Sequence, residues 1–176
     1  MRVYDASGTD TDDATDPPGA DPETLNVGIA EYEVTADGAV LTTSGLGSCV
    51  AVAVRDPSNG VAGLVHAMLP AAEEADSTDA KFADAGTDLL LHEVERAGAD
   101  LAQLEAKLAG GSDMLDFSEE DSIGDRNATR ARETLAGHGV PVLAEDVGGD
   151  HGRSLRFEAE TGDLVVRNAS RERHRL

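Results

Sequence analysis

Apolar and polar residues begin to alternate near Leu25, and order is expected to begin there. Val27 to Thr35 reads as a strand, Ala36-Asp37-Gly38 as a turn and Val40 to Thr43 as a second strand. Val50-Ala51-Val52-Ala53-Val54 is a β-branched run, Arg55 to Gly60 is turn chemistry, and Val61 to Met68 is apolar again. Together they read as one β-hairpin. A type I turn centred on Pro57 and Ser58 pairs Asp56 with Asn59, and counting outward at constant register places Cys49 opposite His66. Val50, Val52, Val54, Val61 and Val65 then share one face, and Cys49, Ala51, Ala53, Ala62, Leu64 and His66 share the other. Both faces are apolar, so this sheet is expected to be central and covered on both sides.

Beyond the hairpin, Ala71 to Ala80 is polar and acidic and reads as a loop. Phe82, Ala85, Leu89, Val94 and Ala97 have helical spacing, and Gly98 stops the run. Leu104 to Leu108 reads as a buried strand ending at Gly110-Gly111. Asp125 to Ala136 reads as a second amphipathic helix, stopped by Gly137 and Gly139. Three strands near Val140 to Asp146, Arg153 to Glu158 and Leu164 to Arg167 close the chain, separated by Gly148-Gly149-Asp150 and Thr161-Gly162-Asp163. Strands and helices in this order predict an α+β domain, a layered α/β sandwich with a central, mostly antiparallel sheet covered by helices. The domain is expected over residues 25–169, between an acidic disordered tail at 1–24 and a solvated basic tail at 170–176.

Charge narrows the function classes. Of 176 residues, 35 are acidic and 14 basic, a net charge of −21, and only Lys81 and Lys107 are lysines. Such a field repels phosphate, so nucleic acid is not an expected partner. The acid is spread along the whole chain, which fits adaptation to a salty cytoplasm better than one acidic docking surface. No apolar run is long enough to span a bilayer and no signal pattern opens the chain, so a cytoplasmic protein is expected. A single cysteine excludes an intrachain disulfide and leaves a free thiol.

That thiol carries the candidate chemistry. Opposed residues on one face of an antiparallel pair have Cβ atoms roughly 5 Å apart, close enough for Cys49 to be a nucleophile and His66 its base. Gly45-Leu46-Gly47-Ser48 leads into Cys49, so backbone N–H groups near Gly47 and Ser48 are candidate oxyanion donors. Thr43, Ser44 and Ser48 offer hydroxyls that could orient the imidazole. A free strand cysteine is more commonly a small buried hydrophobe, and a lone histidine a structural one. Other motifs fall short. His92-Glu93-Val94-Glu95-Arg96 lacks the second histidine of a zinc-protease helix, and His138 and His151 have no ligand spacing, so no metal is expected. Gly45-Leu46-Gly47 lacks the rest of a dinucleotide fingerprint, and the acidity argues against phosphate nests at Gly110-Gly111 and Gly148-Gly149, so no cofactor is expected.

At these residues the sequence resembles the CheD family of chemoreceptor glutamine deamidases. The matching stretches run in the family's order: Thr43-Ser44-Gly45-Leu46-Gly47-Ser48-Cys49-Val50, Gly63 to Pro70, Lys81-Phe82-Ala83-Asp84, Glu105 to Met114, Ile123-Gly124-Asp125-Arg126-Asn127, Glu145 to Asp150 and Thr161-Gly162-Asp163. The resemblance implies a cysteine hydrolase that converts receptor glutamines to glutamates and releases ammonia, on a fold related to the catalytic domain of Rho-deamidating toxins. The family's catalytic Thr, Cys and His fall on Thr43, Cys49 and His66. It also implies docking to a CheC-type phosphatase, and in archaea to adaptors linking signalling to the archaellum. The docking segment falls on Gly110 to Leu115, which puts Met114 and Leu115 forward as partner-binding residues. This chain has Ser112 where a Gly-Gly-Ala start is typical. A binding module with slight turnover is the alternative reading, and a thiol redox sensor, lacking a resolving cysteine, is a third.

Overall fold

The valine run and its partner strand lie at the centre of a computed structural model that describes residues 21–72, 79–114 and 122–176. The strands are β1 (Thr24–Asn26), β2 (Tyr32–Thr35), β3 (Val40–Leu46), β4 (Val50–Asp56), β5 (Val61–Ala67), β6 (Glu105–Gly110), β7 (Val142–Val147), β8 (Arg153–Glu158), β9 (Leu164–Asn168) and β10 (Arg173–Arg175). The helices are α1 (Ala83–Arg96) and α2 (Ile123–Gly137). One sheet has the order β2-β5-β4-β6-β7 and the other β1-β3-β8-β9-β10, and each contains a single parallel pair, β6–β7 and β1–β3.

The first sheet is central, as its two apolar faces require. Val50, Val52, Val54, Val61 and Val65 pack against Leu90, Leu91 and Val94 of α1 and Ala131 and Leu135 of α2. Ala51, Ala53, Ala62 and Leu64 pack against Leu41, Leu155, Phe157, Leu164 and Val166 of the second sheet. Helices therefore cover only one face, and the other is covered by a sheet rather than by helices as expected. Small alanines on one layer facing Phe157 and leucines on the other let the two sheets close.

The hairpin register differs from the expected one by two residues. Asp56 pairs with Val61 and Ala51 with His66, so Cys49 is not opposite His66. The cause is the loop. The buried Asp56 carboxylate accepts from the amides of Ser58 and Asn59, the Asn59 side chain and the amide of Asp100. Gly60, at φ +69°, closes the turn by donating to the Asp56 carbonyl at 3.0 Å. Four residues, not two, thus separate the strands. Because side chains alternate with period two, a shift of two leaves every face assignment intact. Cys49 and His66 still share a face, as diagonal neighbours.

Val27 to Thr35 is not one strand. The chain passes from β1 in the second sheet to β2 in the first, turning at Ala30 with φ +61°. Alternation alone cannot show which sheet a strand joins. At the other terminus the expected solvated tail contains β10, an exposed edge strand paired with β9. Of the expected N-terminal tail, residues 1–20 lie outside the described residues, as do 73–78 of the expected acidic loop.

Burial alone would raise the Asp56 pKa, but the hydrogen bonds from Asn59 and the three amides hold it below the usual carboxylate range. The stability it contributes is present above the unfolded-chain value and is lost as pH falls through the lower folded one. We expect Asp56→Ala to cost about 2 kcal/mol at neutral pH, since it orphans several donors. Denaturant unfolding in concentrated KCl measures this, and a loss under about 0.5 kcal/mol would show that another contact sets the loop.

Candidate active site

The site forms where the two sheets meet. Thr43 projects from β3 of the second sheet and His66 from β5 of the first, and both are almost wholly buried. Thr43 Oγ1 lies 2.7 Å from the carbonyl oxygen of Val27 and 2.8 Å from His66 Nδ1. Thr43 has one hydroxyl proton, and a carbonyl can only accept, so that proton goes to Val27. The hydroxyl oxygen must then accept from Nδ1–H. This fixes the neutral tautomer of His66 and leaves the lone pair on Nε2, which is buried and without a hydrogen-bond partner among the described residues. Of the three hydroxyls the sequence offers, only Thr43 orients the ring, while Ser44 and Ser48 are exposed.

Cys49 sits one residue before β4, partly exposed, on the wall of an open cleft of about 610 Å³. The cleft is lined also by Gly45, Gly47, Ser48, Ser112, Asp113, Met114 and the first residues of α2, Ile123 and Gly124, after its cap Ser122. Burial pushes the Cys49 thiol above its ordinary pKa, partly offset by its own backbone amide. Burial also pushes His66 down to about 4. At neutral pH the pair is therefore a thiol and a neutral imidazole rather than a preformed ion pair.

Close backbone packing holds the cysteine loop. Gly111 N donates to the Cys49 carbonyl and Ser112 N to the Gly47 carbonyl, each at 2.8 Å. Gly110 has φ +112°, and a side chain there would run into the Cys49 carbonyl oxygen. A Cβ on Gly124 would come within 2.6 Å of the Gly111 and Ser112 backbone. The Gly110-Gly111-Ser112 stretch is thus packed against the cysteine loop, with Ser112 lining the cleft. Ser112 is buried, donating to the His151 carbonyl and accepting from Arg153. Met114 is 51% exposed on the cleft rim, and Leu115 lies outside the described residues.

Of the proposed oxyanion donors, Gly47 is corrected: its N–H is engaged by the Gly45 carbonyl at 3.1 Å. The amides of Ser48 and Cys49 have no backbone or side-chain acceptor from another residue among the described ones. Asn127 lies in the Ile123-Gly124-Asp125-Arg126-Asn127 stretch without a role legible from sequence. It is buried on α2, and its Nδ2 donates to the carbonyls of Ser48 at 2.7 Å and Met68 at 3.1 Å. A polar residue on the core-facing side of an amphipathic helix was the signal that could have found it. Arg153 was missed likewise: it is buried, paired with Asp146, and bonded to Ser112 and the Gly148 carbonyl.

The remaining histidines lie elsewhere or serve other bonds. His138 pairs with Asp88 on the surface and His92 is exposed. Among the described residues no group of three or more His, Cys, Asp or Glu could hold a metal ion, and no helix is long and apolar enough to cross a membrane.

Comparison with known proteins places this geometry in a family. The family model described as "CheD chemotactic sensory transduction" matches residues 68–168. A "Probable chemoreceptor glutamine deamidase CheD" of Haloarcula marismortui is 55% identical over 172 residues, covering 97% of this chain and 96% of its own length. One of the same name from Natronomonas pharaonis is 44% identical, covering 82% of this chain and 87% of its own. A "Probable chemoreceptor glutamine deamidase CheD 2" of Geobacter metallireducens is 45% identical, covering 81% and 92%. With the family model matching residues 68–168 and likeness to the Haloarcula relative running the length of both chains, this protein belongs to the CheD family.

Proposed function

We propose that this protein is a cysteine-dependent amidohydrolase that converts glutamines of chemotaxis receptors to glutamates. One observation carries the mechanism: Thr43 donates its only proton to Val27, so His66 keeps an unprotonated Nε2 on the sheet face it shares with Cys49. The names of the relatives supply the substrate class.

When a receptor glutamine enters the cleft, the Cys49 thiol passes its proton to His66 Nε2 and Sγ attacks the side-chain carbonyl carbon. Negative charge develops on the carbonyl oxygen, which the backbone amides of Ser48 and Cys49 receive. The imidazolium returns the proton to the departing nitrogen, the C–N bond breaks, and ammonia leaves a thioester. His66 then takes a proton from water, hydroxide adds to the thioester, and the C–S bond breaks to give glutamate and the regenerated thiol. A glutamyl methyl ester fits the same route with methanol as leaving group. No metal or cofactor has a role in the scheme.

Docking to a phosphatase of the CheC type is a second reading, favoured by the exposed apolar residues Met114 and Ile123 on the cleft rim, 51% and 45% exposed. A partner seated there would lie over Cys49, so docking and substrate entry would compete. Docking with little turnover predicts that Cys49→Ala leaves signalling intact while Met114→Glu disrupts it. The charge of −21 supports a protein that works in concentrated salt, a setting shared with the Haloarcula relative.

The test incubates wild type and variants, in concentrated KCl, with receptor cytoplasmic fragments, and reads Gln-to-Glu conversion by peptide mass spectrometry. We expect Cys49→Ala to lose conversion by at least about 1,000-fold and Thr43→Val to lose about 10- to 100-fold through a misoriented imidazole. Full activity in Cys49→Ala would refute the mechanism.

The pH response follows from His66. Its base form persists down to about pH 4, so kcat/KM should not show the usual histidine fall near pH 6.5. Stability behaves oppositely. The unfolded chain takes up this proton near pH 6.5 and the folded one only near 4, so protonation between those values favours unfolding. Stability is lost as pH falls through that window, by up to about 3 kcal/mol from this group. We expect His66→Gln to flatten that part of the stability profile, measured by denaturant unfolding from pH 7 to 4. An unchanged profile would mean that His66 titrates normally.

A further inference from the structure

We propose that Asn127 is a positioning residue that aims and polarises the oxyanion donor at the Cys49 amide. The inference rests on the cysteine mechanism above and adds a residue that it does not otherwise use.

The ladder between β4 and β5 ends at the pair Val50 and Ala67. Beyond it the strands part: Met68 and Leu69 both turn their amides to the Lys81 carbonyl. Cys49 stands just past this fork, held on the β6 side by Gly111 N but on the β5 side by no ladder bond. Asn127, reaching in from α2, closes the fork by giving both amide hydrogens to the carbonyls on either side, those of Ser48 and Met68. One side chain therefore bridges the segment that carries Cys49 and the end of the strand that carries His66.

The bond to Ser48 has a second consequence. The Ser48 C=O and the Cys49 N–H belong to one planar trans peptide and point in opposite directions. Anchoring the oxygen toward α2 fixes the N–H toward the opposite side. The Cys49 amide also bears on its own thiol, lowering its pKa against the effect of burial. A donor bound to the carbonyl also polarises the peptide and strengthens the N–H as a donor, by the cooperativity of hydrogen-bond chains. The remaining polar atom of Asn127, Oδ1, is buried with no partner among the described residues. An orphaned acceptor is destabilising, so this asparagine is poorly explained by packing alone.

The experiment compares Asn127→Leu, close in size and without donors, with wild type in three readouts. These are kcat and KM on the receptor fragment, the pH dependence of Cys49 alkylation by iodoacetamide, and inhibition by a receptor peptide whose target glutamine is replaced by glutamate γ-semialdehyde. The aldehyde adds Sγ to its carbonyl carbon, with the proton passing to oxygen or held as the oxyanion's counterpart on His66. We expect kcat to fall about 10- to 100-fold with KM within about threefold. Aldehyde affinity should fall by a similar factor, and the alkylation pKa of the thiol should rise. A folded variant with wild-type kcat and aldehyde affinity overturns the proposal. So does a variant that loses kcat while its aldehyde affinity and thiol pKa stay unchanged, because that pattern is a structural defect away from the oxyanion.

If Asn127→Leu does not fold, Asn127→Asp serves. Its ionised carboxylate cannot donate to Ser48, whereas the neutral carboxyl can, so aldehyde affinity should recover as pH falls, and affinity flat with pH overturns the proposal. Failure of the cysteine mechanism itself would look different, as wild-type protein converting no glutamine.

Discussion

A single hydrogen bond between layers organises this molecule: Thr43 in one sheet receives the Nδ1 proton of His66 in the other. Polar groups are scarce in the apolar interface between the sheets, and one left unpaired there would be costly. The pairing is completed by Val27, whose carbonyl takes the Thr43 proton at the point where the chain crosses between the sheets. Sheet packing, crossover and tautomer therefore depend on one another. A shift of either sheet along the other would leave the imidazole without its orienting partner and free to turn over.

The scarce basic residues do related work. Arg55 reaches from the central sheet to the carbonyls of Ala159 and Glu160, and Lys107 to those of Gly162 and Leu176. Arg153 reaches back from the second sheet to Asp146, Ser112 and Gly148. Guanidinium and ammonium groups suit this role because they offer several donors to backbone oxygens near strand ends. In a chain with only 14 basic residues, three are committed to joining the layers. The end of this joint formed by Arg153 also fixes the cleft wall, since Ser112 bonds it and passes the constraint to Gly47.

The Cys49 and His66 side chains are both uncharged at neutral pH within a protein of net charge −21. A partly buried thiol and a buried neutral imidazole avoid the desolvation that an ion pair would suffer, and charge forms only when substrate supplies an oxyanion to be stabilised. Concentrated salt screens the acidic surface but hardly reaches the buried His66 and Thr43. Surface adaptation and the chemistry of the buried imidazole can thus proceed independently.

Both helices, most strands and the two faces of the central hairpin were legible in the sequence, because periodicity of 3.6 or 2 reports which side of an element is buried. The catalytic candidates were legible too, as the single thiol, a strand histidine and a glycine-rich approach, and likeness to a family singled out Thr43 among three hydroxyls. The register was not. It depends on Asp56 gathering donors that include the Asp100 amide, 44 residues away, and no local turn rule contains that contact. Nor could alternation show that only Tyr32 to Thr35 of the Val27 to Thr35 run is a strand, while Thr24 to Asn26 before it pairs in the other sheet. Asn127 and Arg153 take their roles from carbonyls that only folding brings near. What the sequence by itself determined was therefore the local period, the burial of each face and the inventory of reactive groups. Only the tertiary structure decided which strands pair, at what offset, and which proton each polar group holds, because those follow from contacts between residues far apart in the chain.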